Sequence, residues 1–118
     1  MQASHKLVEL LNVNLIKQKY NYQSNIDIKN YVLDLNSRTI TKDKESLKLT
    51  QKEIDIILFL NDYKTPQKVD ILQNKVWGYS LELETHTVET HIYRLRKKIK
   101  SKFSDEDFIL NDKSGYLL

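Results

Sequence analysis

The segment His86–His91 reads HTVETH and places a glutamate between two histidines, a pattern that suggests a zinc hydrolase. On a helix, two histidines chelate one zinc ion well when they are four residues apart. His86 and His91 are five apart, which separates them by about 140° around a helix axis. Glu89 points usefully toward neither, and the chain has no cysteine to supply further ligands. The spacing therefore argues against a metal site.

The residues that follow, IYRLRKKIKSK, indicate a different chemistry. Residues 94–102 carry six positive charges and no acid, whereas residues 1–93 carry 12 Lys or Arg and 12 Asp or Glu. Residues 103–118 carry one Lys and four acids. The excess positive charge of the chain thus lies in one short segment. Such a block is often a solvated surface, but six charges on about three helical turns indicate an anionic partner.

A helix is predicted from His86 to about Lys102, with Thr85 as its cap. Four aliphatic residues fall within a narrow arc that must face the core: Val88, Ile92, Leu95 and Ile99. The opposite face carries His86, Thr90, Tyr93 and Lys97, with Arg94 beside them. Arg96 and Lys100 flank one edge, and His91 and Lys98 flank the other.

This arrangement suits a helix that lies in the major groove of duplex DNA. Long polar side chains on its outer face can reach base edges, and Arg forms two parallel hydrogen bonds with guanine. The cations at Arg96, Lys97, Lys98 and Lys100 would contact phosphates. The alternative for both histidines is that they are exposed helix residues without a ligand.

The whole chain fits one compact domain of 118 residues, 40% hydrophobic and 30% charged. It has no apolar run of the length of a membrane span and no convincing signal peptide, so we expect a cytoplasmic protein without a membrane partner. No Ser-His-Asp constellation, Gly-rich phosphate loop or paired carboxylates stand out. We therefore expect neither an enzyme nor a cofactor.

The remaining elements can be placed from periodicity and turn signals. Residues 4–19 have apolar positions at helical spacing, and a polar connection follows them. Between Ile26 and Leu49, short alternating runs predict an antiparallel sheet of three or four strands. The final segment, FILNDKSGYLL, has the signature of a β-hairpin.

Two further helices are expected between the sheet and the basic segment. LTQKEI contains a capping box in which Thr50 and Glu53 bond each other's backbone, so a helix should cover residues 51–62. The next helix should begin near Pro66, with Thr65 as cap, or one or two residues later. Trp77 is placed to anchor the core, and Gly78 should end this helix.

The order of these signatures resembles the DNA-binding effector domain of OmpR/PhoB-type response regulators. The resemblance covers residues 26–118 and rests on LTQKEI, on VWG, on TVETHIYRLRKKI and on the terminal GY. It implies an α+β winged helix-turn-helix fold, with an N-terminal antiparallel sheet, three helices and a C-terminal β-hairpin wing. It also implies sequence-specific binding of double-stranded DNA in transcriptional regulation, as the effector part of a two-component phosphorelay.

The resemblance assigns roles to individual residues of this chain. His86, Thr90 and Arg94 take the base-reading positions. The phosphate-contacting positions are His91, Tyr93, Arg96, Lys97 and Lys98, with Lys113 as the nearby cation of the wing. The loop with Tyr79, Glu82 and Glu84 matches a segment that approaches RNA polymerase. Trp77 borders the DNA backbone in relatives, although core packing explains it equally well.

Three departures from the family pattern bear on DNA recognition. His86 stands where the family often has Arg, which changes the base preference. Asp112 stands where the wing often carries Arg before its Gly-Tyr pair, and Leu117 replaces a common basic residue. We therefore expect weaker engagement of the minor groove than is usual in the family.

Residues 1–25 are predicted to be a helix and linker separate from the domain at 26–118, and they resemble the last helix of a receiver domain. Either the chain is a fragment of a longer regulator, with a receiver and a sensor kinase as partners, or it is a single-domain protein. One reading helix covers few base pairs, so we expect a second copy on repeated half-sites. The alternative function is a winged helix used only for protein contact, which the polar, cationic outer face disfavours.

Overall fold

The N-terminal sheet is a four-stranded antiparallel meander. Its strands are β1 (Asn25–Ile28), β2 (Tyr31–Asp34), β3 (Thr39–Lys42) and β4 (Glu45–Lys48), and each pairs with the next. Side chains alternate between the two faces, and the inward set comprises Ile26, Ile28, Tyr31, Leu33 and Ile40. The predicted sheet of three or four strands is confirmed.

The computed structural model describes residues 25–78 and 85–118. The predicted helix at residues 4–19 and the loop residues Tyr79, Glu82 and Glu84 lie outside these ranges. Among the residues described, no helix is long and apolar enough to cross a membrane.

Helix α1 (Gln51–Asp62) has the predicted bounds and the predicted cap. The Glu53 amide donates to Thr50 Oγ1 at 3.2 Å, and the Thr50 amide donates to Glu53 Oε1 at 2.8 Å. These reciprocal bonds satisfy two amides that a helix start leaves without partners. Every residue from Glu53 to Leu60 is buried, so α1 forms the centre of the domain.

Helix α2 (Val69–Leu72) continues into a wider π-helical turn (Gln73–Trp77) and ends at Gly78, which has a φ of 85°. The predicted start near Pro66 is wrong. The Gln67 backbone pairs instead with Tyr116, through N–O distances of 2.7 and 2.9 Å. The Thr65 hydroxyl accepts from the Gln67 side chain, and α2 begins after Lys68 without a side-chain cap bond.

Helix α3 (Thr85–Phe103) begins one residue before its predicted start, so Thr85 belongs to the helix; its side chain is outside the described part. The four aliphatic residues predicted to face the core are buried: Val88, Ile92, Leu95 and Ile99. Strands β5 (Leu110–Asp112) and β6 (Gly115–Leu117) then form the wing hairpin.

Gly115 allows the wing to lie against the start of α2. Its φ is +132°, and a Cβ atom added there would stand 2.3 Å from the Gln67 carbonyl oxygen. Any side chain would therefore collide with the backbone that pairs with β6. The wing is fixed to the helical part at this position.

The C-terminal end of α3 is joined to the sheet through Tyr31. Its hydroxyl donates to Asp105 Oδ2 at 2.7 Å, and its ring meets the rings of Phe103 and Phe108 edge-on, each at 5.1 Å between centroids. Burial, with the nearby Asp105 carboxylate, raises the pKa of Tyr31 far above its ordinary value. The sheet thereby fixes the direction in which α3 leaves the core.

Candidate nucleic-acid interface

The outer face of α3 carries hydrogen-bonding and cationic side chains on a rigid apolar back. His86, Tyr93, Arg94 and Lys97 are exposed, and Thr90 is half-buried. The Thr90 hydroxyl donates to the His86 carbonyl at 2.9 Å, so its oxygen retains acceptor capacity. The predicted base-reading residues therefore share one surface.

Tyr93 extends this surface toward the C-terminal half of α3. It is 64% exposed, which is unusual for a large aromatic residue, and the Lys97 ammonium lies 6.0 Å from its ring centroid. The ring limits the positions that Lys97 can adopt, so both side chains are presented together.

The edge of α3 that faces α1 meets the end of the α2 segment at His91. Its Nδ1 lies 2.9 Å from the Thr87 carbonyl, which leaves Nε2 for another partner. The Trp77 ring meets the His91 ring edge-on at 5.1 Å, and the Lys52 ammonium lies 5.4 Å from the Trp77 ring centroid. We call Lys52, Trp77 and His91 the three-helix junction, because one residue comes from each helical segment.

Lys98 lies on the same edge but is bound to an acid of α1. Its ammonium is 2.7 Å from Glu53 Oε1, and the Glu53 side chain is only 4% exposed. The same oxygen accepts the Thr50 amide of the capping box. Lys98 therefore neutralises a buried carboxylate, in competition with the phosphate contact predicted for it.

The edge of α3 that faces the wing has more acidic surroundings. Lys100 is paired with Glu106 at 3.2 Å. Burial and the nearby Glu89 carboxylate raise the pKa of Tyr116 in β6, and Arg96 opposes them. The charges of Glu89 and Arg96 thus act on the Tyr116 pKa in opposite directions.

The wing tip presents one cation and one acid. Lys113 is exposed at the turn, and Asp112 Oδ1 accepts the Ser114 amide at 2.7 Å. Asp112 consequently shapes the turn as an Asx-type cap. Its negative charge adjoins the position from which Lys113 was predicted to reach DNA.

The residues described include no group of three His, Asp or Glu side chains that could hold a metal ion. His86 is exposed at the start of α3, whereas His91 packs against Trp77.

Lys52 also belongs to this surface, although its sequence context did not predict this. Lys52 lies in the first turn of α1, and the residues next to it in sequence predict a helix start but no part in a DNA-binding surface. Trp77, for which two explanations were open, is half-buried: it packs on the core and also borders the interface.

A family model described as "Transcriptional regulatory protein, C terminal" matches residues 43–118. The chain belongs to this family. The resemblance to OmpR/PhoB-type effector domains is confirmed, and so is the winged-helix fold.

Curated relatives include a "Probable transcriptional regulator ycf27" of Guillardia theta, 41% identical over 90 residues, which are 72% of this chain and 35% of that protein. "Response regulator ArlR" of Staphylococcus saprophyticus is 38% identical over 77 residues, which are 64% of this chain and 34% of that protein. The chain spans about a third of the length of these two relatives.

Solved structures of isolated domains are also similar. The DNA-binding domain of E. coli CadC is 25% identical, with a TM-score of 0.71 over 81% of this chain and 92% of that chain. The DNA-binding domain of the response regulator AdeR, solved in complex with an intercistronic region, is 26% identical. Its TM-score is 0.66 over 79% of this chain and 97% of that chain.

Proposed function

We propose that this domain binds double-stranded DNA sequence-specifically and regulates transcription, with α3 in the major groove. The observation that carries the proposal is the outer face of α3, on which Arg94 and Lys97 are exposed above a fully buried aliphatic back. A helix fixed in this way holds its side chains in one register against base edges and phosphates.

Within this proposal, His86, Thr90 and Arg94 read bases. Arg94 would bind guanine through O6 and N7, and Thr90 and His86 can donate or accept. Phosphate contacts come from Tyr93, Arg96 and Lys97, with His91 at the α1 edge and Lys113 on the wing. Lys98 has the weakest support among the predicted phosphate residues, because Glu53 already binds its ammonium.

We further propose the partners that a regulator of this kind requires. A second copy would bind a repeated half-site, since one helix reads only a few base pairs. RNA polymerase would be contacted by the loop that contains Tyr79, Glu82 and Glu84. A receiver domain and a sensor kinase would act on the domain if it belongs to a longer chain, and the site of action would be the cytoplasm.

The primary test is fluorescence anisotropy with a mixed-sequence duplex at several salt concentrations. We expect log K to fall linearly with log salt, by about 0.9 for each phosphate contacted. An operator selected from a random library should bind on the order of 10⁻⁸ M, against roughly 10⁻⁵ M for random duplex. Undetectable or salt-insensitive binding would contradict the proposal and favour a protein partner.

Two substitutions separate base reading from phosphate binding. Arg94→Ala should weaken operator binding by about 1–3 kcal/mol and relax the preference at one base pair. Lys97→Ala should weaken all sequences about equally and lower the salt slope by about 1. If both variants affect every sequence alike, the division of roles is wrong.

A further inference from the structure

The two edges of α3 differ in charge, and the difference indicates which DNA strand the domain holds more firmly. An open groove of about 770 Å³ runs between α3, the start of α1 and β4. Of its eleven lining residues, five are Lys or Arg and one, Glu53, is acidic. We call it the α1 groove. Its only acid is already neutralised by Lys98, so the remaining cations face outward without a compensating charge in the lining.

The groove on the wing side of α3 is smaller and closer to neutral. It has a volume of about 570 Å³, and its charged lining consists of Arg96, Lys97, Lys100 and Glu106. Lys97 lines both grooves and therefore does not distinguish them. Lys100 and Glu106 neutralise each other at 3.2 Å. The adjoining wing adds the carboxylate of Asp112 and one cation at its tip. The excess positive charge next to the reading face therefore lies on the α1 side.

Lys52 is the residue of the α1 groove best prepared to bind an anion. Its side chain is 40% exposed and forms a long ion pair of 4.0 Å with the buried Asp55 carboxylate, compared with 2.7 Å between Lys98 and Glu53. The ammonium is held by the Val76 carbonyl at 3.3 Å and by the face of Trp77. These neutral partners restrict the lysine without cancelling its charge, which lowers the entropy lost when it binds.

Lys52 lies beside α3 where the backbone of a DNA strand bordering the major groove would pass. Lys52 contacts Trp77, Trp77 contacts His91, and His91 lies one helical turn before Arg94 on α3. Lys52 is thus level with the part of α3 that is proposed to read bases. When a helix lies in the major groove, a phosphate backbone passes along each of its sides. The α1 side offers that backbone a lysine, an indole and an imidazole from three helical segments.

We propose that the α1 groove binds the phosphodiester backbone on this side of the major groove. Lys52 makes a direct phosphate contact within the three-helix junction, and the wing contributes less to affinity than the α1 groove. The proposal rests on the proposed function and assigns DNA contact to a residue in the first turn of α1. It predicts an asymmetric footprint, with stronger protection of the strand at the α1 side.

The test compares three single substitutions in the whole chain. Lys52→Gln probes the α1 groove, and Lys113→Gln probes the wing. Lys48→Gln, at an exposed position of β4 outside both grooves, is the matched control. Salt-dependent anisotropy with one selected operator measures affinity and slope, and thermal unfolding verifies that all three variants are folded. We expect Lys52→Gln to lower affinity about three- to tenfold and the slope by about 0.9. Lys113→Gln should lower both by clearly less, because Asp112 adjoins it, and Lys48→Gln should change neither.

A second measurement tests whether the contact is direct. Operator duplexes carry one uncharged methylphosphonate in place of a single phosphate, moved stepwise along each strand. Wild type should lose affinity at one or two positions bordering the major groove on a single side. Lys52→Gln should be insensitive to one of these, because its contact there is already absent.

The proposal is overturned if Lys113→Gln lowers the salt slope and Lys52→Gln does not. It is also overturned if Lys52→Gln loses affinity at every methylphosphonate position at which wild type does. Lys97→Gln separates this failure from that of the proposed function. If Lys97→Gln lowers the slope while Lys52→Gln has no effect, the domain binds DNA without a phosphate contact at Lys52. If wild type does not bind DNA, both proposals fail.

Discussion

At the residue scale, Lys97 and Lys98 are neighbours in sequence with different surroundings. Lys97 is exposed and touches only the Tyr93 ring among the contacts described for it, whereas Lys98 forms an ion pair with a carboxylate that is 4% exposed. Removing a cation from such a pair leaves a buried negative charge without compensation. The two lysines should therefore respond differently to the same substitution.

We expect Lys98→Gln to lower the free energy of unfolding by about 1–2 kcal/mol, a value reduced for the partial exposure of its ammonium. Lys97→Gln should change stability by less than about 0.5 kcal/mol. Urea unfolding of both variants checks this, with the salt slope of DNA binding as a second readout. If Lys98→Gln is as stable as wild type and lowers the salt slope of DNA binding, Lys98 contacts a phosphate as originally predicted.

Asp105 makes the stability of the fold sensitive to acid. Burial would raise the pKa of Asp105, but the hydrogen bond from Tyr31, the Asp107 amide and the ammonium groups of Lys29 and Lys42 outweigh it. The pKa of Asp105 is therefore lowered. A lowered pKa in the folded state means that ionised Asp105 favours folding above its unfolded pKa of about 3.9. This contribution is lost as the pH falls through the folded value.

Asp105→Asn should consequently be less stable than wild type at pH 7, and the difference should shrink as the pH falls below about 4. Thermal unfolding between pH 2.5 and 7 measures the difference. Glu106, the next residue, is exposed, and Glu106→Gln serves as the control. A difference that stays constant over this range would show that the Tyr31–Asp105 contact does not depend on the ionised carboxylate.

At the scale of elements, local signals predicted local structure well. Thr50 and Glu53 lie three residues apart, so the capping box that starts α1 could be predicted from the sequence. The four aliphatic residues that α3 buries also follow from periodicity within one segment. The start of α2 was missed because Gln67 bonds to Tyr116, which is distant in sequence. The ion pair of Lys98 and the position of Lys52 were not predicted for the same reason: Glu53 is 45 residues from Lys98, and the Val76 carbonyl is 24 residues from Lys52.

The junction between the wing and α2 can be tested at Gly115, with Gly78 at the end of the α2 segment as the control. Gly115→Ala places a methyl group against the Gln67 carbonyl, whereas a Cβ at Gly78 has nothing within 4 Å. Both substitutions carry the strain of a positive φ, about 1–2 kcal/mol. We expect Gly115→Ala to cost at least about 1 kcal/mol more than Gly78→Ala, because of the collision. Urea unfolding compares them, and equal losses would mean that the wing shifts freely to admit a side chain.

At the scale of the whole molecule, the described residues offer one helix proposed to read bases, α3, beside a concentrated positive surface. In the proposed binding mode, α3 would span only a few base pairs of the groove. Two copies on one face of DNA require half-sites separated by about 10–10.5 base pairs or a multiple of it. The proposal of a second copy therefore predicts the spacing between the two half-sites.

We expect binding to be cooperative on two half-sites spaced by one helical turn. Inserting about five base pairs between them rotates one site to the opposite face and should reduce affinity to that of a single half-site. Anisotropy with three duplexes, which carry one site, two in-phase sites and two out-of-phase sites, measures the effect. Equal affinity for the in-phase and out-of-phase duplexes would show that the copies bind independently.

The pairing of Gln67 with Tyr116 also bears on how such a domain can diversify. The base of the hairpin is fastened through main-chain atoms, and these bonds persist when side chains change, provided that Gly115 is kept. The tip at Asp112–Ser114 lies beyond this attachment. Substitutions there should leave the helices undisturbed, so the tip can be exchanged while the base of the hairpin stays attached. Grafting an arginine-rich tip onto this hairpin would be a direct route to a regulator with an altered operator preference.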